Sequence, residues 1–163
     1  MNELWDAYDE NFNKIKDVVL IRGENIPDGM YHLVTEIIVK HIDGSILITQ
    51  RDPKKHLGLL WEVSAGGSAL KGESPIECAR RELKEETGIE AKNIKELARL
   101  TNHNSHSIYF EYLCITDCDK SSIVLQEGEN VDYKCVSIDE LKKMNINMFA
   151  TDRFIKFLDI INQ

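Results

Sequence analysis

The sequence predicts an α/β (α+β) fold in which a central mixed sheet lies between helices. Three observations predict this class: strand-like segments precede a central helix, further strand-like segments follow it, and an amphipathic C-terminal segment can cover the second face of the sheet. The 163 residues contain no internal repeat, no low-complexity segment and no linker. We therefore expect residues 1–163 to form a single domain.

Before the central helix, β-branched and aliphatic residues predict strands that turn residues separate. Residues 1–30 are expected to form an N-terminal arm or small hairpin that ends at the turn sequence Pro27-Asp28-Gly29. Asp43-Gly44 is typical of the turn of a β-hairpin. The strands expected in this half are 17–22, 31–40, 45–50 and a buried strand over 59–65.

The central helix has clear local start and stop signals. Ser74 is a good N-cap, Pro75 suits the first helical position, and Glu77 completes a capping box. Gly88 is a typical residue just past a helix C-terminus, so the helix is predicted over residues 75–87. Its apolar residues recur at three- and four-residue steps and should face the core; they are Ile76, Ala79 and Leu83.

After the helix, the same patterns predict the remaining sheet and two further helices. Strands are expected over 93–101, 107–116 and 132–136. Ser137 and Glu140 form a second capping box, which opens a short helix to about residue 144. A terminal helix over 151–161 is predicted from apolar residues at helical spacing, namely Phe154, Phe157, Leu158 and Ile161.

Composition narrows the possible partners and location. The formal net charge is −8 and the sequence pI about 5.1, which argues against binding of a nucleic-acid polymer. No apolar run is long enough to span a membrane, and no N-terminal secretion signal is present, so a cytoplasmic protein without membrane contact is expected. The four cysteines form no CxxC pair and are expected to be reduced, structural thiols.

The central helix carries more carboxylates on one side than stability alone would favour. Glu82, Glu85 and Glu86 fall within roughly a 100° arc beside the apolar stripe. Like charges at i,i+4 destabilise a helix, and anions near its C-terminus oppose the macrodipole. One interpretation is a solvated acidic face, with Arg81 offsetting Glu85; the other is a site for Mg²⁺ or Mn²⁺.

These residues belong to a longer pattern that resembles the Nudix box. In that pattern a glycine, a glutamate, the Arg-Glu-aliphatic step, a Glu-Glu pair and a final Gly-aliphatic pair stand at fixed spacing. The resemblance covers residues 67–89 and departs from the pattern at no position. The matching residues are Gly67, Glu73, Arg81, Glu82, Leu83, Glu85, Glu86, Gly88 and Ile89.

The resemblance implies a Nudix-type α/β/α sandwich and a hydrolase that cleaves a diphosphate linkage, usually in a nucleoside diphosphate derivative. It implies that Glu82, Glu85, Glu86 and the Gly67 carbonyl hold Mg²⁺ or Mn²⁺. The divalent ion would neutralise charge on the phosphates while water attacks phosphorus. Glu73 and Arg81 would orient the metal-binding carboxylates.

The general base and the phosphate-binding residues are less firmly indicated. Glu85 is one candidate for the base, and the loop acids Glu127 and Glu129 are the others. A basic patch upstream of the box, Arg51 with Lys54 or Lys55, is expected either to bind phosphate oxygens of a small diphosphate substrate or to be a solvated loop.

Two alternatives to a hydrolase follow from the same resemblance. Around Tyr31-His32-Leu33 and Trp61–Gly67 the chain is similar to isopentenyl-diphosphate isomerases, where a metal histidine aligns with His32. The isomerase cysteine and a second metal histidine are replaced here by Gly66 and Ser68, which argues against isomerase activity. A non-catalytic nucleotide-binding Nudix module usually lacks box carboxylates, and this chain keeps them all.

Other features leave the function open. His103 and His106 lie in one loop and are expected to be ordinary loop residues rather than metal ligands. Tyr109 and Phe110 could stack on a base or belong to the core. A homodimer formed through the N-terminal arm is a further expectation.

Overall fold

The computed structural model describes residues 1–163 and contains nine strands and three α-helices. Three short 3₁₀ helices also occur, over Lys120–Ser122, Ile146–Met148 and Arg153–Phe157. No helix is long and apolar enough to cross a membrane. The strands are β1 (Leu4–Tyr8), β2 (Lys14–Ile21), β3 (His32–His41), β4 (Ile46–Arg51), β5 (Trp61–Glu62), β6 (Ala65–Ser68), β7 (Asn93–Asn102), β8 (Ser107–Thr116) and β9 (Asn130–Val136); the helices are α1 (Pro75–Thr87), α2 (Ile138–Lys143) and α3 (Leu158–Ile161).

The central sheet is mixed, as the sequence predicts. Its seven strands follow the order β5-β4-β3-β8-β7, with β6 added to β3 and β9 added to β4. Only the pairing of β3 with β8 is parallel, and the other pairings are antiparallel. Helix α1 contributes to the hydrophobic core on one face, and α2 and α3 contribute to the core on the other. The predicted helix–sheet–helix arrangement is therefore confirmed.

Helix α1 begins and ends where its local signals place it. The Ser74 side chain accepts a hydrogen bond from the Glu77 backbone, and the Glu77 side chain accepts one from the Ser74 backbone. Gly88 has φ of 76°, in the left-handed region that favours glycine, and its N–H donates to the Lys84 carbonyl. The caps fix the register of the carboxylates along the helix.

The expected single strand over 59–65 is wrong, because the chain changes its partner there. Strand β5 pairs with β4, whereas β6 pairs with β3. Ser64 stands at the change: its hydroxyl accepts from the Val39 N–H at 2.9 Å and donates to the Leu47 carbonyl at 2.6 Å. These side-chain bonds replace ladder bonds at the point where the strand is interrupted.

The terminal helix also differs from its prediction. Residues 153–157 form a 3₁₀ helix, and only Leu158–Ile161 is α-helical. Asp152 precedes this segment without a side-chain capping bond. The apolar positions are nonetheless buried as expected, which indicates that core packing rather than local helix signals holds the segment.

The N-terminal residues form a hairpin of β1 and β2 outside the main sheet. It reaches β3 through a bridge between Tyr8 and Tyr31. Hairpin groups also contact the loop ahead of α1: the Leu4 carbonyl accepts from the Lys71 N–H, and a carboxylate oxygen of Asp6 accepts from the Gly72 N–H at 2.7 Å. The hairpin therefore buttresses the loop between β6 and α1.

Candidate active site

Two glycines of β6 bring the strand close to its neighbours. A Cβ atom at Gly67 would lie 2.4 Å from the Glu82 carboxyl carbon, and one at Gly66 would lie 2.5 Å from the Thr35 carbonyl oxygen. Neither position tolerates a side chain without movement of the backbone or of the carboxylate. The glycine at 67 thus permits Glu82 to lie directly against the β6 backbone.

Arg81 is the hub of the carboxylates on α1. Its guanidinium donates twice to Glu73, at 2.7 and 2.9 Å, and also to Glu82 at 2.7 Å and to Glu85 at 3.2 Å. A further bond at 3.1 Å reaches the Ser68 carbonyl. The hydrogen bonds that Arg81 donates to Glu73 raise the pKa of Arg81, so its charge is permanent. Arg81 therefore fixes Glu82 and Glu85 relative to the loop that carries Glu73.

Glu86 is a buried acid among like charges. Its residue surface is 4% exposed, and its carboxylate accepts one hydrogen bond, from the Gly66 N–H at 3.2 Å. Burial raises the pKa of Glu86 well above its usual range, and the nearby charges of Glu62 and Glu82 raise it further. Burial likewise raises the pKa of Glu82, against the opposing effect of Arg81. A bound cation would offset this repulsion.

The carboxylates of α1 are suitable ligands for a divalent cation, but their oxygens do not converge on one position. No group of three or more His, Cys, Asp and Glu side chains is arranged to hold a metal ion as the structure stands. Arg81 holds Glu82 and Glu85, whereas Glu86 turns to Gly66. The carboxylates are hard oxygen ligands of the kind that Mg²⁺ and Mn²⁺ prefer. The repulsion between Glu86 and its two acidic neighbours is the observation that fits such an ion.

The Gly67 carbonyl, the backbone ligand that the resemblance implies, faces α1. It accepts a hydrogen bond from the Cys78 thiol at 3.6 Å. Burial raises the pKa of Cys78 to about 12, so the thiol keeps its proton and can donate. Since a carbonyl oxygen has two lone pairs, this bond leaves one free for a cation.

A cavity of about 460 Å³ lies on the side of β6 away from α1. Val34 and Glu36 line it, whereas Thr35 between them contacts Cys78 of α1. The box glutamates do not line this cavity; Gly66 is the shared boundary, because its backbone lines the cavity while its N–H binds Glu86. The lining residues are Val34, Glu36, Arg51, His56, Leu57, Glu62, Val63, Ser64, Ala65, Gly66, Ala150, Thr151, Asp152 and Arg153.

The three basic residues of the upstream patch take different positions. Arg51 lines the cavity and forms an ion pair with Glu62. Lys55 is ion-paired with Glu129, so the loop acid and the lysine hold each other. Lys54 is exposed on the turn and lines no part of the cavity. Only Arg51 of the three therefore faces the cavity.

His32, the position that aligns with an isomerase metal ligand, is engaged within the protein. Its ring stacks on Trp5 at 4.2 Å, and its two nitrogens lie 2.8 Å from the Ser107 hydroxyl and 3.4 Å from the Ser68 hydroxyl. Burial lowers the pKa of His32 to about 4, so the ring is neutral near neutral pH. These contacts give His32 a structural role beneath the hairpin.

The two loop histidines contact the start of β3. His103 bonds the Tyr31 hydroxyl at 2.7 Å, and His106 contacts the Met30 carbonyl at 3.2 Å. The Nδ1 atom of each ring thus has a protein partner. Of the two aromatics named from sequence, Phe110 is in the core and Tyr109 lies under a guanidinium.

Four charged residues near the candidate site were not predicted from the sequence. Glu62 lies near Glu86, and Glu36, Glu111 and Arg153 form a second charged group beside the cavity. A signal for two of them is present: Glu36 and Glu111 are each a single acid inside an apolar strand segment. An acid at such a position requires a partner, and the partner is distant in sequence.

Comparisons with known proteins show the family to which the chain belongs. The model of the NUDIX domain matches residues 30–155. The chain belongs to the Nudix family. An uncharacterized Nudix hydrolase of Listeria monocytogenes is 32% identical over 143 residues, covering 87% of this chain and 84% of the relative. An uncharacterized Nudix hydrolase of Yersinia pestis is 30% identical over 129 residues, covering 74% and 66%.

Solved structures share the fold of this chain. DR0079 from Deinococcus radiodurans superposes with a TM-score of 0.78 at 18% identity, over 99% of this chain and 100% of that chain. The NUDIX domain of Shewanella oneidensis NrtR, solved in complex with ADP ribose, gives a TM-score of 0.64 at 17% identity, over 79% and 84%. At these identities the likeness concerns the fold alone.

Proposed function

We propose that this Nudix protein is a metal-dependent hydrolase that cleaves a diphosphate linkage in a nucleoside diphosphate derivative or a similar small diphosphate. The observation that carries the proposal is Glu86: a buried carboxylate, held against Gly66 and close to the charges of Glu62 and Glu82, which a bound cation would balance. Hydrolase relatives in two bacterial genera support the reaction class.

The residues that would hold Mg²⁺ or Mn²⁺ are Glu82, Glu85 and Glu86 with the Gly67 carbonyl. When bound, the divalent ion supplies positive charge to the phosphate oxygens and acidity to the attacking water. Arg81 and the partner Glu73 keep those carboxylates on the β6 side of α1.

We assign Arg51 as the residue that binds the phosphate groups of the substrate. It lines the cavity next to Gly66, and a guanidinium matches phosphate oxygens in a bidentate manner. Lys55 adds positive charge near Glu86, where it lowers the pKa of that acid. A substrate in the cavity would thus present its diphosphate at the boundary that Gly66 shares with the box carboxylates.

We assign Glu85 as the general base, which accepts the proton of the attacking water. Its side chain is 45% exposed, and Arg81 binds only one of its carboxylate oxygens, so the other remains available to accept. Glu129 is the second candidate, but it must first separate from Lys55. Replacing each by glutamine and comparing kcat distinguishes the two: we expect the larger loss in Glu85→Gln.

A substrate panel tests the proposed reaction. Nucleoside diphosphate derivatives including ADP-ribose, nucleoside triphosphates and isopentenyl diphosphate are each incubated with Mg²⁺, Mn²⁺ or EDTA, and released phosphate or nucleotide is measured. Cleavage of a diphosphate that EDTA abolishes is expected. Absence of cleavage across the panel by folded protein would contradict the proposal, and allylic isomer formation would favour the isomerase alternative.

A further inference from the structure

Strand β1 supplies the hydrogen-bond acceptors for the turn that leads into α1. This turn, over residues 70–73, is closed by a bond of 3.0 Å from its last N–H to its first carbonyl, and Gly72 has φ of 84°. The N–H groups of the two central residues have no partner within such a turn. The Lys71 N–H donates to the Leu4 carbonyl at 2.8 Å, and the Gly72 N–H donates to the Asp6 carboxylate at 2.7 Å. Both central N–H groups are therefore bound by β1.

Asp6 is a buried acid at the contact between the hairpin and this turn. The residue is 6% exposed, and the Oδ2 atom that accepts from Gly72 also lies 2.9 Å from Lys14 Nζ. A carboxylate is buried without a large penalty only where such bonds replace those it makes to water. An apolar side chain at this position would leave the turn held by the Leu4 carbonyl alone. The buried carboxylate thus joins the hairpin to the start of α1.

The last residue of the turn, Glu73, carries this contact on to the box carboxylates. Its side chain accepts from the Leu70 N–H at 2.9 Å, so the carboxylate is fixed to the turn itself. The same carboxylate accepts two hydrogen bonds from Arg81. Arg81 in turn donates to Glu82 and to Glu85. The position of the turn therefore sets the position of the guanidinium and, through it, of two carboxylates assigned to the metal.

The hairpin is also held on the domain at points away from the turn. Trp5 stacks on His32 with 4.2 Å between the ring centres. Tyr8 and Tyr31 exchange two backbone hydrogen bonds of 2.9 Å. Loss of the Asp6 carboxylate would therefore free the turn without releasing the hairpin, so the two effects can be separated by experiment.

We propose that Asp6 is a positioning residue for the metal-binding carboxylates of α1. By binding the Gly72 N–H it fixes the turn that carries Glu73, and Glu73 then orients Arg81. The NUDIX model begins at residue 30, so the proposal adds to the site a hairpin that lies outside the matched residues. It rests on the proposed function, because it concerns the same carboxylates.

Hydrogen exchange followed by ¹⁵N NMR on the metal-free protein tests the link between the turn and the guanidinium. The probes are the Gly72 N–H and the Arg81 Nε–H, whose signal is identified by its loss in Arg81→Lys. Asp6→Ala should speed the exchange of both probes about fivefold or more. Asp6→Leu removes the same acceptor without shortening the side chain and should give the same result. Asp6→Asn keeps an oxygen that can accept from Gly72, so both rates should stay within about twofold of the wild type.

Mn²⁺ binding, measured by the loss of the free-ion EPR signal, tests the consequence for the site without requiring turnover. Asp6→Ala should weaken Mn²⁺ binding about fivefold or more, and Asp6→Asn should bind within about twofold of the wild type. The matched control is Glu3→Ala. Glu3 is an acid of the same hairpin that accepts from Trp5 Nε1 at 2.6 Å and from Arg22 at 3.2 Å, and these bonds do not involve the turn. The control should match the wild type in both measurements.

Three results would overturn the proposal. One is an Arg81 Nε–H exchange rate or a Mn²⁺ affinity in Asp6→Ala equal to that of the wild type. Another is an equal loss in Glu3→Ala, which would show a general weakening of the hairpin. The third is a failure of Asp6→Asn to restore either property. If all variants behave as expected but no diphosphate is cleaved, the proposed hydrolase function fails while the positioning role stands.

Discussion

Replacing the buried acid of the box helix should separate metal binding from folding. In Glu86→Gln the shape is kept, and the Gly66 N–H can still donate to the amide oxygen. The substitution removes a charge that Glu62 and Glu82 oppose and that burial penalises. We therefore expect the metal-free variant to be more stable than the metal-free wild type at pH 8.

The size of the effect follows from burial. Glu86 is 4% exposed, and a buried carboxylate with a single hydrogen bond, from the Gly66 N–H, carries a desolvation cost of about 1–3 kcal/mol. Because burial raises the pKa of Glu86 in the folded state, stability falls as the pH rises from the ordinary pKa of a glutamate to that raised pKa, and the loss is constant above it. For a domain of this size we expect a melting temperature about 2–12 °C above that of the wild type in EDTA at pH 8, with a smaller difference at pH 5.

Mg²⁺ should raise the stability of the wild type much more than that of the variant, and so remove or reverse the difference between them. At about 100 times its dissociation constant, an ion that binds only the folded wild type adds about 2.7 kcal/mol, which corresponds to about 5–11 °C. The variant should gain less than about 2 °C. Glu90→Gln is the matched control, since Glu90 is exposed and pairs with Lys84; it should behave as the wild type does.

Thermal unfolding followed by circular dichroism at pH 5 and pH 8, with EDTA or with Mg²⁺, measures all four conditions. Two results would refute the reasoning. One is an equal gain from Mg²⁺ in the wild type and in Glu86→Gln. The other is a variant less stable than the wild type in EDTA at pH 8.

Three further changes have defined outcomes. Gly67→Ala should lower activity more than tenfold and stability by about 1–3 kcal/mol, because its Cβ would collide with Glu82; unchanged kinetics and melting would contradict the close approach. Arg81→Lys cannot keep both bonds to Glu73, so urea unfolding should show a loss of about 1.5–3 kcal/mol, and no loss would refute the hub role. Because the pKa of His32 is lowered from 6.5 to about 4, the free energy of unfolding should decrease by up to about 3 kcal/mol as the pH falls through this interval. His32→Gln should flatten that pH dependence, and equal pH profiles of the variant and the wild type would count against a neutral buried ring.

The parts of the fold that the sequence predicts well are those with local signals. The limits of α1 follow from Ser74, Glu77 and Gly88, whose bonds all lie within the helix or its caps. The change of partner at Ser64 could not be predicted, because its hydroxyl bonds residues of two other strands. A hydroxyl in an apolar segment shows only that a partner is needed.

The same distinction applies to the site. Arg81 and the box carboxylates lie within one short segment, so spacing alone brings them together. Arg153 and its acidic partner Glu36 are 117 residues apart and meet only because the sheet and the terminal segment pack together. Lys54 shows that closeness in sequence does not ensure closeness at the site, since it stands three residues after Arg51 but is exposed and lines no part of the cavity.

The most direct test of the central claim is ³¹P NMR of a nucleoside diphosphate substrate incubated with the protein in ¹⁸O-labelled water. With Mg²⁺ the wild type should split the diphosphate and place one ¹⁸O atom on a phosphorus of the product, and neither EDTA-treated protein nor Glu86→Gln should do so. An intact diphosphate in the presence of folded wild type and Mg²⁺, or cleavage that persists in EDTA, would contradict metal-dependent hydrolysis at this site.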